Sequence, residues 1–207
     1  MDDETRIRKE WFPEHIADLE KRDIVEVLHW RKPGTCIYQV EYLIYGTALF
    51  VCGDIGDAVY RWSGLITFPW LAKLDLQYFA EKCQASEHGR GYKSFQPHVL
   101  KKSVEEMFDY FVEEAVVDGT IAETEKQAKK KELELKFAGL DGPSAMHFSE
   151  EWSRWLGEHG HEMFGDDWME WGLDGMGVDI RCHGHLLGIK MAMAQLEKRK
   201  GENPNGC

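Results

Sequence analysis

The residues whose types and spacing most suggest chemistry form one short stretch, Gly53-Asp54-Ile55-Gly56-Asp57. Its two glycines give the backbone freedom and its two carboxylates give charge, a combination that occurs in phosphate-binding and metal-binding loops. The same residues suit a tight turn, because Asp and Gly tolerate the left-handed backbone angles that hairpin connections require. The stretch is therefore either a reactive loop or a connection between two strands.

This stretch lacks the partner residues that a reactive loop needs. A metallophosphoesterase loop has the order Gly-Asp-x-His-Gly, but here the histidine position is Gly56 and the final glycine position is Asp57. A dinucleotide fingerprint requires GxGxxG, and a phosphate loop requires Gly-Lys-Ser/Thr. We therefore predict a tight strand connection that holds Asp54 and Asp57 at the rim of a sheet.

The last third of the chain contains a second group of residues that could carry chemistry. Imidazole, thiolate and carboxylate are the usual ligands of transition metals, so a metal-dependent hydrolase is an alternative hypothesis. A His-x-His pair shares a face only on a strand, however, and both copies here stand beside glycine at expected helix ends. We favour capping and polar packing, and expect no cofactor. The possible metal ligands are His159, His161, Cys182, His183 and His185.

Two further possibilities concern a nucleotide and a nucleophile. The polar loop at 85–96 contains His88, Arg90 and Lys93, which could clamp the phosphate of a sequestered nucleotide signal. No serine or cysteine stands in a nucleophile elbow such as GxSxG. We therefore keep a nucleotide sponge as a third hypothesis and do not predict a nucleophilic enzyme.

An aromatic and acidic strip lies at residues 164–175. At helical spacing its tryptophans are neighbours, and Trp152 and Trp155 repeat that spacing. Such residues form either a tryptophan-rich core between helices or an interface in which aromatic anchors ringed by carboxylates dock on a basic partner. The strip contains Asp166, Asp167, Trp168, Glu170 and Trp171.

Composition narrows the choice of function. The 25 basic and 37 acidic residues give a formal charge of −12, which disfavours non-specific binding to nucleic acid. Five scattered cysteines without a CxxC pair indicate neither a disulfide framework nor a zinc ribbon. No apolar run approaches the roughly 20 residues of a membrane span, so we expect no membrane segment and a cytoplasmic location.

The elements that must position these residues indicate an α+β fold. We predict an N-terminal helix, then an antiparallel β-meander of about four strands with glycine turns, and a mostly helical remainder. The expected units are 1–66 and 67–207, or one continuous domain. The predicted helices are 13–22, 98–116, 121–137, one that starts at Ser144 and is broken at 157–161, and 185–200. The predicted strands are 23–31, 35–45, 48–52 and 58–62.

Two segments together, GDIGDAVYRWSG at 53–64 and DIRCHGHLLGIKMAMAQLEK at 179–198, resemble small accessory proteins encoded by phages and prophages of Gram-positive bacteria. The resemblance implies a role against host defence, of which anti-CRISPR proteins are the best-known class. Neither segment has a known chemistry, so the resemblance implies no catalytic residue.

We therefore predict a phage-encoded, non-enzymatic inhibitor in the cytoplasm of a bacterial host. It would bind a nucleic-acid-handling defence complex, such as a type II CRISPR effector nuclease or its ribonucleoprotein, and block the surface that holds nucleic acid. The acidic surplus, the tryptophan count and the incomplete catalytic motifs motivate this prediction. The expected partner-binding residues are Asp54, Asp57, Asp166, Asp167, Trp168, Glu170 and Trp171.

Overall fold

The computed structural model divides the chain into two compact units. The first is Met1–Tyr92 with Val178–Cys207, and the second is the insertion Lys93–Gly177. The expected boundary at residue 66 lies inside the first unit, which also contains residues 67–92 and the last helix. The structure describes residues 2–87, 92–117, 119, 122–138, 145–164, 169, 173 and 175–202, without the side chains of 111–115 and 145–149.

The first unit contains a six-stranded antiparallel meander in the order β1 to β6. This arrangement confirms the α+β class and the predicted meander, with one more strand at each end. The strands are Ile16–Arg22 (β1), Val25–Arg31 (β2), Val40–Tyr45 (β3), Ala48–Gly53 (β4), Ala58–Arg61 (β5) and Cys83–Ser86 (β6). The helices are Asp3–Arg6 (α1), a π-helical turn Ile7–Trp11, Phe68–Leu71 (α2), Leu76–Glu81 (α3) and Ile180–Glu202 (α7).

The predicted helix at 13–22 is wrong, because most of that segment forms β1. The apolar residues of this segment fit both the helical period and the two-residue period of a strand. Pairing with the neighbouring strand β2 decides in favour of the strand. Ala17 and Leu19 lie opposite Trp30 and Leu28 of β2, so the apolar residues meet in register. The two strands are joined by only two residues, and the first of these, Asp23, has a φ of 49°.

One face of the sheet packs against α7 and the short helices. Tyr42, Tyr60 and Leu28 from the strands share a core with Leu186 and Ile189 of the helix. The helix approaches the sheet closely because it has glycine at the contact. A Cβ atom at Gly188 would lie 2.2 Å from the Tyr42 hydroxyl oxygen.

The edge strand β1 is covered by side chains of α7. The Ala17 amide donates to Gln195 Oε1 over 2.7 Å, and Arg199 Nη1 donates to the Ala17 carbonyl over 2.9 Å. Gln195 Nε2 also donates to the carbonyl of His15 over 3.0 Å. These bonds satisfy backbone groups that an open edge would offer to another chain.

The second unit has its own core between helices. Its helices are Pro97–Val117 (α4), Glu123–Phe137 (α5) and Ala145–Phe164 (α6). Two short strands pair where the chain enters and leaves this unit, Lys93–Phe95 (β7) and Met176–Val178 (β8). The predicted apolar face of α4 is confirmed, because Leu100, Val104, Met107 and Phe108 are buried. Phe111 and Val112 were predicted on the same face, but their side chains are not among those that the structure describes.

The helices α6 and α7 each differ from the prediction in one main feature. The glycines of 157–161 do not break α6, since Leu156, Met163 and Phe164 on either side are buried and keep the helix in place. The last helix begins five residues early because Asp179 caps it, its carboxylate accepting from the Arg181 amide over 2.8 Å. No helix in the described part of the chain has the length and apolar character needed to cross a bilayer.

Candidate functional site

The aspartate stretch connects β4 and β5, as predicted. Gly53 has a φ of 141° and Gly56 a φ of 97°, angles that side chains rarely allow. The Asp57 carboxylate accepts from the Gly53 amide over 3.2 Å, and the Asp54 amide donates to the Gln39 carbonyl over 3.0 Å. Both aspartate side chains are exposed while Ile55 points into the core, so the loop presents two carboxylates on a fixed backbone.

A cluster of buried polar side chains, His185, Tyr60 and Cys182, lies against this loop on the inside of the protein. His185 Nε2 lies 3.0 Å from the Gly56 carbonyl oxygen, and its Nδ1 lies 2.8 Å from the Tyr60 hydroxyl oxygen. The same hydroxyl lies 3.3 Å from Cys182 Sγ. Strand β5, helix α7 and the loop therefore meet at one set of contacts.

The cluster has a defined protonation. A carbonyl can only accept, so Nε2 of His185 carries the proton and Nδ1 accepts from Tyr60. Burial lowers the pKa of His185 to about 4, which keeps the imidazole neutral. Burial also raises the pKa of Tyr60 well above its usual range. With both ring nitrogens occupied and the residue only 2% exposed, His185 holds the loop in place.

The opposite face of the sheet presents an apolar row across five strands. Val27 lies opposite Leu43, Leu43 opposite Phe50, Phe50 opposite Val59, and Val59 opposite Ala85. These residues are exposed or half-buried, with Phe50 38% exposed. We call this set the outer row. Aligned apolar side chains that stay partly exposed on a sheet face are a candidate interaction surface.

The outer row ends in an acidic rim on the side of the loop. A shallow depression of about 290 Å³ runs from Phe50, Val59 and Ala85 to the exposed acids Asp57 and Glu87. Partial desolvation raises the pKa of the Cys52 thiol in this depression, and the carboxylates of Asp57 and Glu41 raise it further. The surface thus combines apolar contact area with the carboxylates of Asp57 and Glu87. The side chain of Arg181 also lies beside this loop, with its Cδ atom 3.2 Å from the position of a Cβ atom at Gly56.

The five predicted partner-binding residues of the aromatic and acidic strip lie outside the described residues. Asp166, Asp167, Trp168, Glu170 and Trp171 are among the positions for which the structure gives no placement. Within the strip, Met169 is described and is 74% exposed. The prediction that these five residues contact a partner stays a prediction.

The histidines and cysteine of the metal hypothesis are distributed over both units. His159 and His161 lie on α6 in the second unit, while Cys182, His183 and His185 lie on α7 in the first. His159 Nδ1 contacts the Trp155 carbonyl oxygen at 3.0 Å and its ring stacks on Trp155. Within the described ranges, no three His, Cys, Asp or Glu side chains are grouped so that they could hold a metal ion.

The nucleotide hypothesis rests on residues of which the structure describes one. Lys93 is the first residue of β7 and is exposed. His88 and Arg90 lie outside the described residues, so their position relative to Lys93 stays untested.

The tryptophan count, which suggested an interface, is explained largely by packing. Trp30, Trp62 and Trp152 are buried, and Trp11 and Trp155 are packed against cores. Trp152 Nε1 donates to the Leu173 carbonyl over 2.7 Å, and its ring stacks on Phe137 and Trp155. Of the described tryptophans, Trp70 is exposed at 39%.

The outer row was missed in the sequence, although a signal was present. The segments ALFVC and AVY are apolar at consecutive positions, a pattern typical of strands whose two faces are both covered. One face is covered by α7, which leaves Phe50 and Val59 on the other.

Comparisons of this chain with protein-family models, curated proteins and solved structures find no match.

Proposed function

We propose that this chain is a binding protein whose outer row and acidic rim occupy a basic, nucleic-acid-binding surface of a partner protein. The observation that supports the proposal best is the continuity of the outer row with the carboxylates of Asp57 and Glu87. Apolar area that excludes water, next to charge of one sign, is the usual composition of a protein interface.

The charge of the chain favours a basic partner. A formal charge of −12 attracts a surface of Arg and Lys over a distance of about a Debye length and repels nucleic acid itself. A groove that holds phosphates has the opposite charge to the acidic rim and to the nearby carboxylate of Asp54. The chain would therefore compete with nucleic acid for that groove.

The partner class follows from the sequence resemblance and is part of the same proposal. Such accessory proteins of phages often act against host defence, and a type II CRISPR effector nuclease holds nucleic acid in a positively charged channel. The chain would bind such an effector, or its ribonucleoprotein, and exclude the target DNA without a chemical reaction.

The test measures binding to purified type II effector nucleases with and without guide RNA. Phe50→Ser removes the central side chain of the outer row, and we expect it to weaken binding by about 2 kcal/mol, roughly thirtyfold. Ile24→Ser is the matched control, because Ile24 is 71% exposed in the β1–β2 turn, away from the outer row. Binding should also weaken as salt concentration rises.

Equal affinities of Phe50→Ser and Ile24→Ser would show that the outer row is not the interface. Absence of binding to every effector, together with no protection of phage in a defended host, would refute the proposed partner class. Circular dichroism of both variants distinguishes lost binding from lost folding.

A further inference from the structure

A cavity of about 510 Å³ lies at the end of the sheet where β1 begins and β2 passes into its loop to β3. Its size falls within the range of about 300–1,000 Å³ that is common for small-ligand sites. Three cations line it, although the formal charge of the whole chain is −12. They are Arg31, Lys32 and Arg199. The proposed function makes no use of this cavity, because its lining contains no member of the outer row or the acidic rim.

The two arginines have charge and N–H groups to offer a ligand. Lys32 is already paired, because its Nζ lies 2.5 Å from Glu14 Oε2. Arg31 is exposed, and its side chain makes no hydrogen bond or ion pair with any residue that the structure describes. Arg199 Nη1 donates to the Ala17 carbonyl over 2.9 Å. A guanidinium has five N–H donors, so this bond fixes Arg199 and leaves other donors for a ligand.

Backbone hydrogen bonds hold the walls of the cavity in place. Arg31 and Ile16 lie opposite each other in the paired strands β2 and β1. In the loop after β2, the Thr35 amide donates to the Lys32 carbonyl over 3.3 Å, and Thr35 Oγ1 accepts from the Ile37 amide over 3.1 Å. The Thr35 hydroxyl therefore still has its own proton to donate. Donors from the loop and donors at the edge of β1 thus line one cavity.

We propose that this cavity is a binding site for a small phosphate monoester, whose phosphate group is held by Arg31 and Arg199. A phosphate monoester carries a charge of about −1.5 to −2 at pH 7, which two guanidinium groups match. Guanidinium groups also present paired N–H donors in the geometry that phosphate oxygens accept. The proposal is independent of the proposed binding function.

The remaining lining suits the organic part of such a ligand. Ile16 is 39% exposed and, together with Pro33, offers apolar contact to a ring. Asp18 lies two residues further along β1, about 6–7 Å from Ile16 at the usual rise of a strand. Its carboxylate can accept from the hydroxyls of a sugar there without facing the phosphate. A sugar with one phosphate, alone or carrying a base, has this combination of groups.

A longer polyanion is disfavoured at the same cavity. The formal charge of −12 repels nucleic acid as it approaches the rest of the chain. A ligand with a single phosphate meets the two arginines and little of that repulsion. The chain therefore selects a small phosphate ester over RNA or DNA.

The test measures the affinity of the full chain for adenosine monophosphate, ribose 5-phosphate, adenosine and inorganic phosphate by isothermal titration calorimetry. We expect both esters to bind in a saturable manner. Adenosine should bind at least about a hundredfold more weakly than its monophosphate, because two charge-assisted hydrogen bonds are lost. The affinities of the two esters relative to each other distinguish a nucleotide ligand from a sugar phosphate.

Arg31→Gln should weaken binding of the tighter ester by at least about tenfold, because it removes one charge-assisted contact. Arg61→Gln is the matched control, since Arg61 is an exposed arginine of β5 outside the lining and its replacement changes the net charge equally. Arg199→Lys is a second variant, which keeps the charge and a donor for the Ala17 carbonyl. It loses the paired donors of the guanidinium, so binding should weaken while the Tm stays unchanged.

A second measurement locates the ligand. In amide-detected NMR spectra, adenosine monophosphate should shift the signals of Gly34 and Thr35, which line the cavity, and leave those of Leu43 and Phe50 in the outer row unchanged. Absence of saturable binding by both esters would overturn the proposal, as would equal losses in Arg31→Gln and Arg61→Gln. Inorganic phosphate that binds as tightly as both esters would also overturn it, because the cavity would then hold a free anion.

Discussion

Nε2 of His185 donates to the carbonyl oxygen of Gly56 over 3.0 Å, across 129 positions of sequence. The last helix therefore holds the aspartate loop from inside the protein, while the carboxylates of Asp54 and Asp57 face outward. The loop that most suggested chemistry and one of the histidines of the metal hypothesis are therefore parts of one structural contact.

This contact makes stability depend on pH. Burial lowers the pKa of His185 to about 4 in the folded protein, against 6.5 for an unperturbed histidine. As pH falls below 6.5 the unfolded chain takes up the proton first, so the free energy of unfolding decreases until about pH 4 and then stays level with respect to this group. We expect a loss of at most about 3 kcal/mol over this window, measured by urea denaturation at a series of pH values.

His185→Gln is the matched variant for this measurement, since an amide can still donate to Gly56 and accept from Tyr60 without titrating. Its free energy of unfolding should fall less steeply between pH 6.5 and pH 4. Burial also lowers the pKa of the half-buried His183, which leaves a shallower slope of the same sign. An identical slope in His185→Gln and the original chain would contradict the assignment.

The meander could be predicted because its signals are local. Apolar and β-branched runs separated by glycine turns define β2 to β5 without any knowledge of distant contacts. The segment of β1 could not be assigned in this way, because Ile16 and Leu19 fit a helix while Ala17 and Leu19 fit a strand. The choice depends on pairing with β2, which is not a property of the segment itself.

The site could be predicted only in part for the same reason. The positions of Asp54 and Asp57 follow from a two-glycine connection, which is local. The support from His185 depends on where α7 lies on the sheet, which no spacing of residues reveals. The outer row depends on strand register, since its members come from five strands.

Gly53 is a position that only glycine can occupy. A Cβ atom there would lie 2.1 Å from the carbonyl oxygen of Gln39, and the φ of 141° is strained for any side chain. We expect Gly53→Ala to lower the free energy of unfolding by about 3 kcal/mol or more. Gly46→Ala is the control, because Gly46 also has a positive φ, of 61°, but nothing lies within 4 Å of the added atom. Its cost should stay near 1–2 kcal/mol, about the left-handed penalty alone, in the same denaturation assay.

Tyr42 offers a stabilising substitution. Its hydroxyl is fully buried and has no hydrogen-bond partner among the described residues, and burial raises the pKa of the phenol. Tyr42→Phe removes the unpaired hydroxyl, so we expect the free energy of unfolding to stay equal or to rise by up to about 1 kcal/mol. Thermal unfolding followed by circular dichroism measures the change.

The same substitution should relieve a steric conflict with the last helix. Gly188→Ala places a Cβ atom 2.2 Å from the Tyr42 hydroxyl oxygen, and we expect it to destabilise the protein by about 1–3 kcal/mol. In the Tyr42→Phe background the cost of Gly188→Ala should be smaller, because the conflicting atom is gone. Equal costs in both backgrounds would mean that the helix does not lie over Tyr42 as described.

Substitutions of the two loop carboxylates should distinguish effects on partner binding from effects on the stability of the fold. Asp54 presents an exposed carboxylate, whereas the Asp57 carboxylate also accepts from the Gly53 amide over 3.2 Å. Asp54→Lys should therefore weaken binding to a basic partner by about 1–2 kcal/mol without changing the free energy of unfolding. Asp57→Lys should weaken binding similarly, and it should also destabilise the fold by about 1 kcal/mol because the hydrogen bond to the Gly53 amide is lost. Asp57→Asn keeps the acceptor for that hydrogen bond and removes only the charge.

The control for charge is Glu197→Lys, an equal reversal at an exposed position of α7 outside the loop. It changes the net charge of the chain as much as Asp54→Lys does, so any difference in affinity between the two variants reports the position of the charge. Equal losses would show that the partner senses only the overall field of the protein, and the loop would then have no specific part in binding. A selective loss in Asp54→Lys, with unfolding unchanged, would identify the loop as a point of contact.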